Sequence, residues 1–335
     1  MDAGAGDVRA FYTRVRDEDP AVGQIAVGRS DGSGRFTSCT DDIVVSAPPA
    51  GLSVCAFRDP FVWRDERGGW TMIVGAGLAD GRGAVLQYRS DDLDRWRYAG
   101  VLHCGHIPVL DTALAQVWEC PQMMRVGDRW LLVVSLLLDG SADHVAACSG
   151  SYGGGRLAAG EWQRLMSGGV LYATSLFRDR RGRPCMISWL REDPQLRVEP
   201  VGWAGALSLV SALGVDRCGR ASASPHPAVL HSDMWAHRVC APTPTSCVQV
   251  IPTVPQHVTF MGDGSADIEV RQGRHRLARV SRSGGQPELA VDRPGATPEV
   301  VPCHGSGPIE LFADADVLEV FAGGAHGAWR LGLDV

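Results

Sequence analysis

The sequence predicts an all-β protein, a β-propeller followed by a β-sandwich. Three observations carry this: repeated short hairpins, an abundance of glycine turns, and a change of period towards the C-terminus. In the first hairpin, Phe61-Val62-Trp63 is followed by a polar turn and Trp70-Thr71-Met72-Ile73-Val74. The layout returns as Met123-Met124-Arg125-Val126, Gly127-Asp128 and Trp130-Leu131-Leu132-Val133-Val134. It returns again as Ser175-Leu176-Phe177, Arg181-Gly182 and Met186-Ile187-Ser188-Trp189. Apolar and β-branched runs flanking turn-forming residues read as hairpins.

A second repeat is interleaved with the first. Arg29-Ser30-Asp31-Gly32-Ser33-Gly34-Arg35-Phe36 recurs as Arg89-Ser90-Asp91-Asp92-Leu93-Asp94-Arg95-Trp96, each copy preceded by a strand-like run. A period of roughly 50 to 60 residues is the length of one four-stranded blade. The 41 glycines supply the turns such blades need, and no capped amphipathic run of convincing length argues for a helix. The expected organisation is a propeller over residues 1–215, a linker over 216–230 and a sandwich over 231–335. The linker rests on the small, polar, Pro-bearing stretch Asp216 to Pro227. The sandwich rests on alternating stretches such as Ala266-Asp267-Ile268-Glu269-Val270 and Val317-Leu318-Glu319-Val320-Phe321.

Composition narrows the function. The formal charge of -6 and the lack of a basic run argue against nucleic acid as a partner. No run of about 20 apolar residues suggests a membrane span, and the opening residues lack a secretory pattern, so the chain as written reads as cytoplasmic. All 32 cationic residues are arginines. The ten cysteines form no Cys-x-x-Cys pair and read as free thiols, and neither a metal nor a cofactor is expected.

Two motifs set an acid in apolar surroundings at the start of a blade: Phe57-Arg58-Asp59-Pro60 and Val117-Trp118-Glu119-Cys120-Pro121. Arg58 can fix a carboxylate or a ligand hydroxyl, and the proline stiffens the turn. Burial of Glu119 against Trp118 and Cys120 would raise its pKa, as suits a general acid. Two carboxylates in unlike settings are what glycosidic bond cleavage requires. Trp118, which abuts Glu119, is the aromatic residue expected at the site, whereas Trp63, Trp70, Trp96, Trp130 and Trp189 read as inter-sheet packing.

These motifs, in this order, resemble glycoside hydrolase family 32, the invertases, levanases, inulinases and related fructan-active enzymes. Ala10-Phe11-Tyr12-Thr13 is similar to that family's second-blade strand, Arg58-Asp59-Pro60 to its Arg-Asp-Pro motif and Glu119-Cys120 to its Glu-Cys motif. Gly202-Trp203-Ala204-Gly205-Ala206-Leu207-Ser208-Leu209 is similar to its propeller-closing segment, and Glu310-Leu311-Phe312 with Leu318-Glu319-Val320-Phe321 to its sandwich strands. The resemblance implies a five-bladed propeller, here lacking blade one. It implies retaining hydrolysis of β-fructofuranosyl linkages in a small carbohydrate such as sucrose or a fructo-oligosaccharide. Glu119 would be the acid/base and Asp59 the transition-state stabiliser. Arg58, Trp118 and Cys120 would line the sugar site.

Two departures stand against this. The Asn-Asp-Pro-Asn-Gly motif that carries the family's nucleophile precedes the Phe-Tyr-Thr strand, and here only ten residues precede Phe11. Ser167-Gly168-Gly169-Val170-Leu171-Tyr172-Ala173 also lacks the Asp that relatives place before the Tyr-Ala pair. The alternative is therefore a non-catalytic carbohydrate-binding or scaffold protein derived from such an enzyme. A homo-oligomer is the form in which strand edges exposed by a missing blade would be covered.

Overall fold

The computed structural model describes residues 8–30, 32, 35–37, 42–66, 68–110, 113–193, 204–240, 246–249, 254–261, 265–283 and 288–332. The structure is almost entirely β. Four antiparallel sheets of the propeller type come first. One is built from β1 (Arg9–Arg14), β2 (Gln24–Ser30), β3 (Phe36–Thr37) and β4 (Ile43–Val45), in the order β1-β2-β3 with β4 also on β2. The next follows chain order through β5 (Val54–Arg64), β6 (Trp70–Leu78), β7 (Gly83–Ser90) and β8 (Arg97–Gly105). A two-stranded ribbon, β9 (Pro108–Leu110) and β10 (Ala113–Leu114), leads to β11 (Val117–Val126), β12 (Arg129–Leu138), β13 (Ser141–Gly153), β14 (Arg156–Ala159) and β15 (Gln163–Arg164). The fourth sheet is β16 (Leu171–Arg178), β17 (Pro184–Leu190), β18 (Ala206–Leu207), β19 (Ser211–Val215) and β20 (Ala221–Pro225).

All three expected hairpins form. Arg64 pairs with Trp70 across the first, and Gly182 closes the third at φ +78°. The second copy of the Arg-Ser-Asp repeat is a side-chain-capped turn. Ser90 Oγ accepts the Asp92 and Leu93 amides, and Asp92 Oδ1 accepts those of Asp94 and Arg95. In the first copy, Asp31, Ser33 and Gly34 lie outside the described residues, as do Gly202 and Trp203 of the propeller-closing motif.

The stretch 216–230, expected as a linker, is ordered structure. Asp216 Oδ1 accepts the Arg220 amide at 2.8 Å and turns the chain, so β20 pairs with β19 from Ser211↔Pro225 to Val215↔Ala221. A short helix, α1 (Pro227–Leu230), follows with His226 as its N-cap. Small, polar, Pro-bearing composition suits a tight hairpin as well as a linker, and pairing with β19 decides between them.

The remaining strands are β21 (Ala236–Cys240), β22 (Ser246–Gln249), β23 (Gln256–Phe260), β24 (Ala266–Gln272), β25 (His275–Arg282), β26 (Glu288–Asp292), β27 (Glu299–Pro302), β28 (Ile309–Asp314), β29 (Val317–Ala322) and β30 (Ala325–Arg330). They make the two sheets of a sandwich, ordered β21-β23-β28-β29-β30 and β22-β24-β25-β26-β27. Alternation fills the space between them: Val258, Ile268, Val270, Val280, Leu311, Leu318, Val320 and Trp329 share one core.

By contact density the chain divides into two compact units. One holds Met1–Arg125, Arg129–Asp143 and Cys148–Trp162; the other holds Val126–Asp128, His144–Ala147 and Gln163–Val335. The core of the first unit gathers Ile25, Phe57, Met72, Val74, Leu86 and Leu93. In the second, the glycine-rich stretch before β16 has a structural reason. Ser167 bridges to Gly327 of β30, and a Cβ on Gly168 would sit 1.8 Å from the Ala328 carbonyl oxygen. No described helix is long and apolar enough to cross a membrane.

Candidate active site

The first strands of three propeller sheets share a backbone peculiarity. Asp59 in β5, Cys120 in β11 and Ala173 in β16 all have positive φ, at +61°, +46° and +47°. Such angles are uncommon outside glycine and mark over-determined positions. In β5 the pairing register shifts between Arg58 and Phe61, and in β16 between Tyr172 and Ser175, so Asp59 and Ala173 sit in β-bulges. A bulge re-aims a side chain out of the normal alternation, and at β5 the re-aimed side chain is a carboxylate.

Asp59 is held on three sides. Its backbone N–H donates to Thr13 Oγ1 of β1 at 2.7 Å. Its Oδ2 accepts the Cys120 backbone N–H at 2.9 Å and the Cys120 thiol at 3.5 Å. Arg58 Nη1 donates to Glu119 Oε1 at 3.2 Å, while Nη2 donates to the carbonyl oxygens of Pro20 and Ala21. The 15–23 loop is itself stitched to β5. The Phe57 amide donates to Ala21 O and the Gly23 amide to Phe57 O. Gly23 is required there, because a Cβ would meet Thr13 Cγ2 at 2.4 Å. The carboxylate of Asp19 accepts the Ala21 and Val22 amides and so belongs to this turn.

Arg58, Asp59, Glu119 and Cys120 therefore form one cluster of two carboxylates, a fixed guanidinium and a thiol. Burial pushes the Cys120 thiol far up, and the negative charges of Asp59 and Glu119 add to the shift. The sulfur stays protonated and serves as a donor to Asp59, not as a nucleophile.

Trp118 is the exception among the expected site residues. Adjacent strand residues point to opposite faces, and Trp118 points away from the cluster. It is fully buried, 5.8 Å from the His103 ring and 5.1 Å from the Trp162 ring, and its indole N–H has no described hydrogen-bond partner. The correction is physical: Trp118 anchors the strand that bears Glu119 and offers no face to a sugar.

The positioning roles of four residues escaped the sequence reading. Thr13 holds the bulge at Asp59. Gly75, Gly77 and Gly83 clear the path of β11: a Cβ on them would meet Trp118 O at 2.3 Å, Val117 Cγ2 at 2.8 Å and the Trp118 ring at 2.1 Å. Glycines inside a strand pattern, as in Gly75-Ala76-Gly77, signal such close backbone approach.

Among the described residues, Asp179, Cys185 and His226 bring ligand-type atoms within 4.8 Å of one another. His226 Nδ1 accepts the Ala228 amide at 3.1 Å, so Nε2 carries the ring proton and donates it to Asp179 Oδ2 at 3.1 Å. A metal on Nε2 would have to displace that proton while Nδ1 remains an acceptor. His226 thus caps α1, while Asp179 accepts the Arg181 and Arg183 amides and the Cys185 thiol donates to Arg183 O. Cys55, Cys104, Cys120, Cys148, Cys185, Cys218, Cys240 and Cys303 are free thiols.

Comparison with known proteins bears on the family and the fold. The chain is 34% identical over 181 residues to sucrose-6-phosphate hydrolase of Escherichia coli, covering 51% of this chain and 36% of that protein. It is 31% identical over 192 residues to sucrose-6-phosphate hydrolase of Bacillus subtilis, covering 54% and 39%. These matches span little more than a third of each relative's length. Among solved structures, a GH32 β-fructofuranosidase of Bombyx mori superposes with a TM-score of 0.74 at 22% identity, covering 100% of this chain and 73% of that one. Sucrose-6-phosphate hydrolase of Lactobacillus gasseri superposes with a TM-score of 0.76 at 19% identity, covering 100% and 72%. These likenesses show the fold, a propeller followed by a sandwich. Residues 3–224 match the model of the glycosyl hydrolases family 32 N-terminal domain, and the chain belongs to that family.

Proposed function

We propose that this chain is built to cleave β-fructofuranosyl linkages, in sucrose, its phosphate ester or a short fructan, by a retaining mechanism. The observation that carries the reading is the joining of Arg58 to Glu119 and of Cys120 to Asp59 in one cluster of a family 32 fold. Glu119 passes its proton to the leaving oxygen as the glycosidic C–O bond breaks and a carboxylate nucleophile bonds to the anomeric carbon, and Arg58 stabilises the Glu119 carboxylate that remains. Asp59, with Oδ2 fixed by the Cys120 N–H, offers Oδ1 to sugar hydroxyls. Glu119 then takes a proton from the incoming water.

The attack on the anomeric carbon calls for a further carboxylate. The Asn-Asp-Pro-Asn-Gly motif that would supply it does not occur in these 335 residues, which contain no asparagine. The second reading is a protein that binds fructosides without turning them over. Incubation with sucrose, sucrose 6-phosphate and a fructan trisaccharide, followed by chromatography for free fructose, separates the two. Fructose release that Glu119→Gln abolishes supports hydrolysis. Saturable heat of binding without fructose after long incubation supports the binding protein. Neither heat nor fructose refutes both.

A further inference from the structure

A cavity of about 410 Å³ opens beyond the end of β5, where Trp63, Asp65, Arg89, Trp130 and Tyr152 meet. Trp63 lies four residues and Asp65 six residues past Asp59 along the chain. At about 3.3 Å per residue of strand, that is roughly 13 to 20 Å from the carboxylate cluster. We propose that this cavity is a second binding site, for a short neutral carbohydrate.

Aromatic surface and charge together select the ligand. The rings of Trp63, Trp130 and Tyr152 touch one another at centroid distances of 6.0, 6.1 and 5.2 Å, yet all three remain half-buried on the cavity wall. Trp118 and its neighbours show what closed inter-sheet packing looks like in this protein, and there the indole is fully buried. Half-exposed rings over a hollow leave apolar faces for the C–H surface of a sugar. The polar groups are already balanced. Asp65 is paired with Arg89, and Glu66 with Arg125 at 3.2 Å. A cation or an anion would find its counter-charges taken. A polyol finds a hydroxyl held in place on the wall, because Arg89 Nη2 and Gln87 Nε2 both donate to Tyr152 Oη, at 2.9 and 2.5 Å. The volume lies within the range of about 300 to 1,000 Å³ of small-molecule sites.

The rim provides a clean way to close the site. A Cβ on Gly153 would meet nothing within 4 Å, and its φ lies outside the left-handed region, so a side chain is accepted there without clash or backbone strain. The proposal is independent of the reaction assigned to Glu119, since a protein that only binds sugars would carry the same cavity.

The test uses the full chain carrying Glu119→Gln, so that no substrate is consumed, titrated calorimetrically with a fructan oligosaccharide and, separately, with choline chloride as a cationic probe. Two binding events are expected with the oligosaccharide. One should weaken at least tenfold in Gly153→Leu and persist in Gly153→Ala, with melting midpoints matching the parent. Should Gly153→Leu fail to fold, 19F NMR of the fluorotryptophan-labelled parent replaces it, with resonances assigned by single Trp→Phe substitutions. Shifts at Trp63 and Trp130 on adding oligosaccharide support the site. A single binding event indifferent to Gly153→Leu, no shift at either tryptophan, or tighter binding of choline than of sugar overturns it. Loss of turnover in the parent chain changes none of these outcomes, so failure of the catalytic reading is distinguishable from failure of this one.

Discussion

Glu119 and Glu319 are both buried carboxylates on β-strands, yet their surroundings differ in kind. Glu119 precedes a left-handed residue in β11, faces the guanidinium of Arg58, and is next in chain to a tryptophan for which Gly75 and Gly83 clear space. Glu319 sits in regular pairing between β28 and β30, where it accepts from His326 Nε2 at 2.8 Å and from the Leu209 amide at 2.8 Å. The His326 ring lies 4.0 Å from that of Phe321, nearly parallel to it. No residue of β29 has a positive φ. Burial of an acid is thus common to scaffold and candidate site, and what distinguishes the latter is distorted backbone that aims polar groups at one another.

The sharpest way to break this contrast is substitution of the two acids. Glu119→Gln should lower fructoside turnover by about a thousandfold or more while the melting midpoint stays within a few degrees, because general acid catalysis contributes about 10²- to 10⁴-fold and the amide keeps a hydrogen-bonding oxygen. Steady-state assay beside thermal melting checks it, and equal turnover would remove Glu119 from the chemistry. Glu319→Ala should do the reverse. Leaving His326 and the Leu209 amide without their acceptor should cost about 3 kcal/mol in urea unfolding, with sugar binding unchanged.

A smaller effect is expected at the bulge. Thr13→Val removes the acceptor of the Asp59 N–H and should cost about 1 to 2 kcal/mol together with some fructoside affinity. Calorimetry showing full affinity would mean that the bulge holds itself.

The smallest effect concerns acid stability in the sandwich. Burial acts to raise the Glu310 carboxyl, but hydrogen bonds from His257 and Thr259 and the charges of His257 and His237 outweigh it and hold the carboxyl below its ordinary value. A carboxyl depressed in the folded state contributes stability above its unfolded pKa of about 4.5 and loses it as pH falls through the folded value. Urea midpoints measured from pH 6 down to pH 3 should therefore fall less steeply in Glu310→Gln than in the parent. Parallel curves would show that the pairing does not matter to folding.

Much of this was legible in the sequence, for reasons that can be named. Hairpins such as Met123 to Val134 announce themselves because their apolar runs and turn residues are local. Arg58, Asp59, Glu119 and Cys120 stand out through two acid-bearing motifs and the family resemblance, and the structure brings the four together. The side of the strand on which Trp118 lies was not legible, because a neighbour in sequence is not a neighbour in space on a pleated strand. The hairpin at 216–225 was hidden for a similar reason: its composition is that of a turn, and only pairing with β19 reveals the strand. The rings of Trp63 and Trp130 touch each other, but both stay half-exposed where inter-sheet packing was expected, and no local pattern discloses the hollow beside them.

The fit of Trp118 over Gly83 has a consequence for how the protein can vary. The indole occupies the place where a side chain at position 83 would stand, so a single added carbon on β7 has to be absorbed by the strand whose next residue is Glu119. A substitution at position 83 would then register at the carboxylate cluster as well as in the packing, as a chemical defect that accompanies the loss of stability.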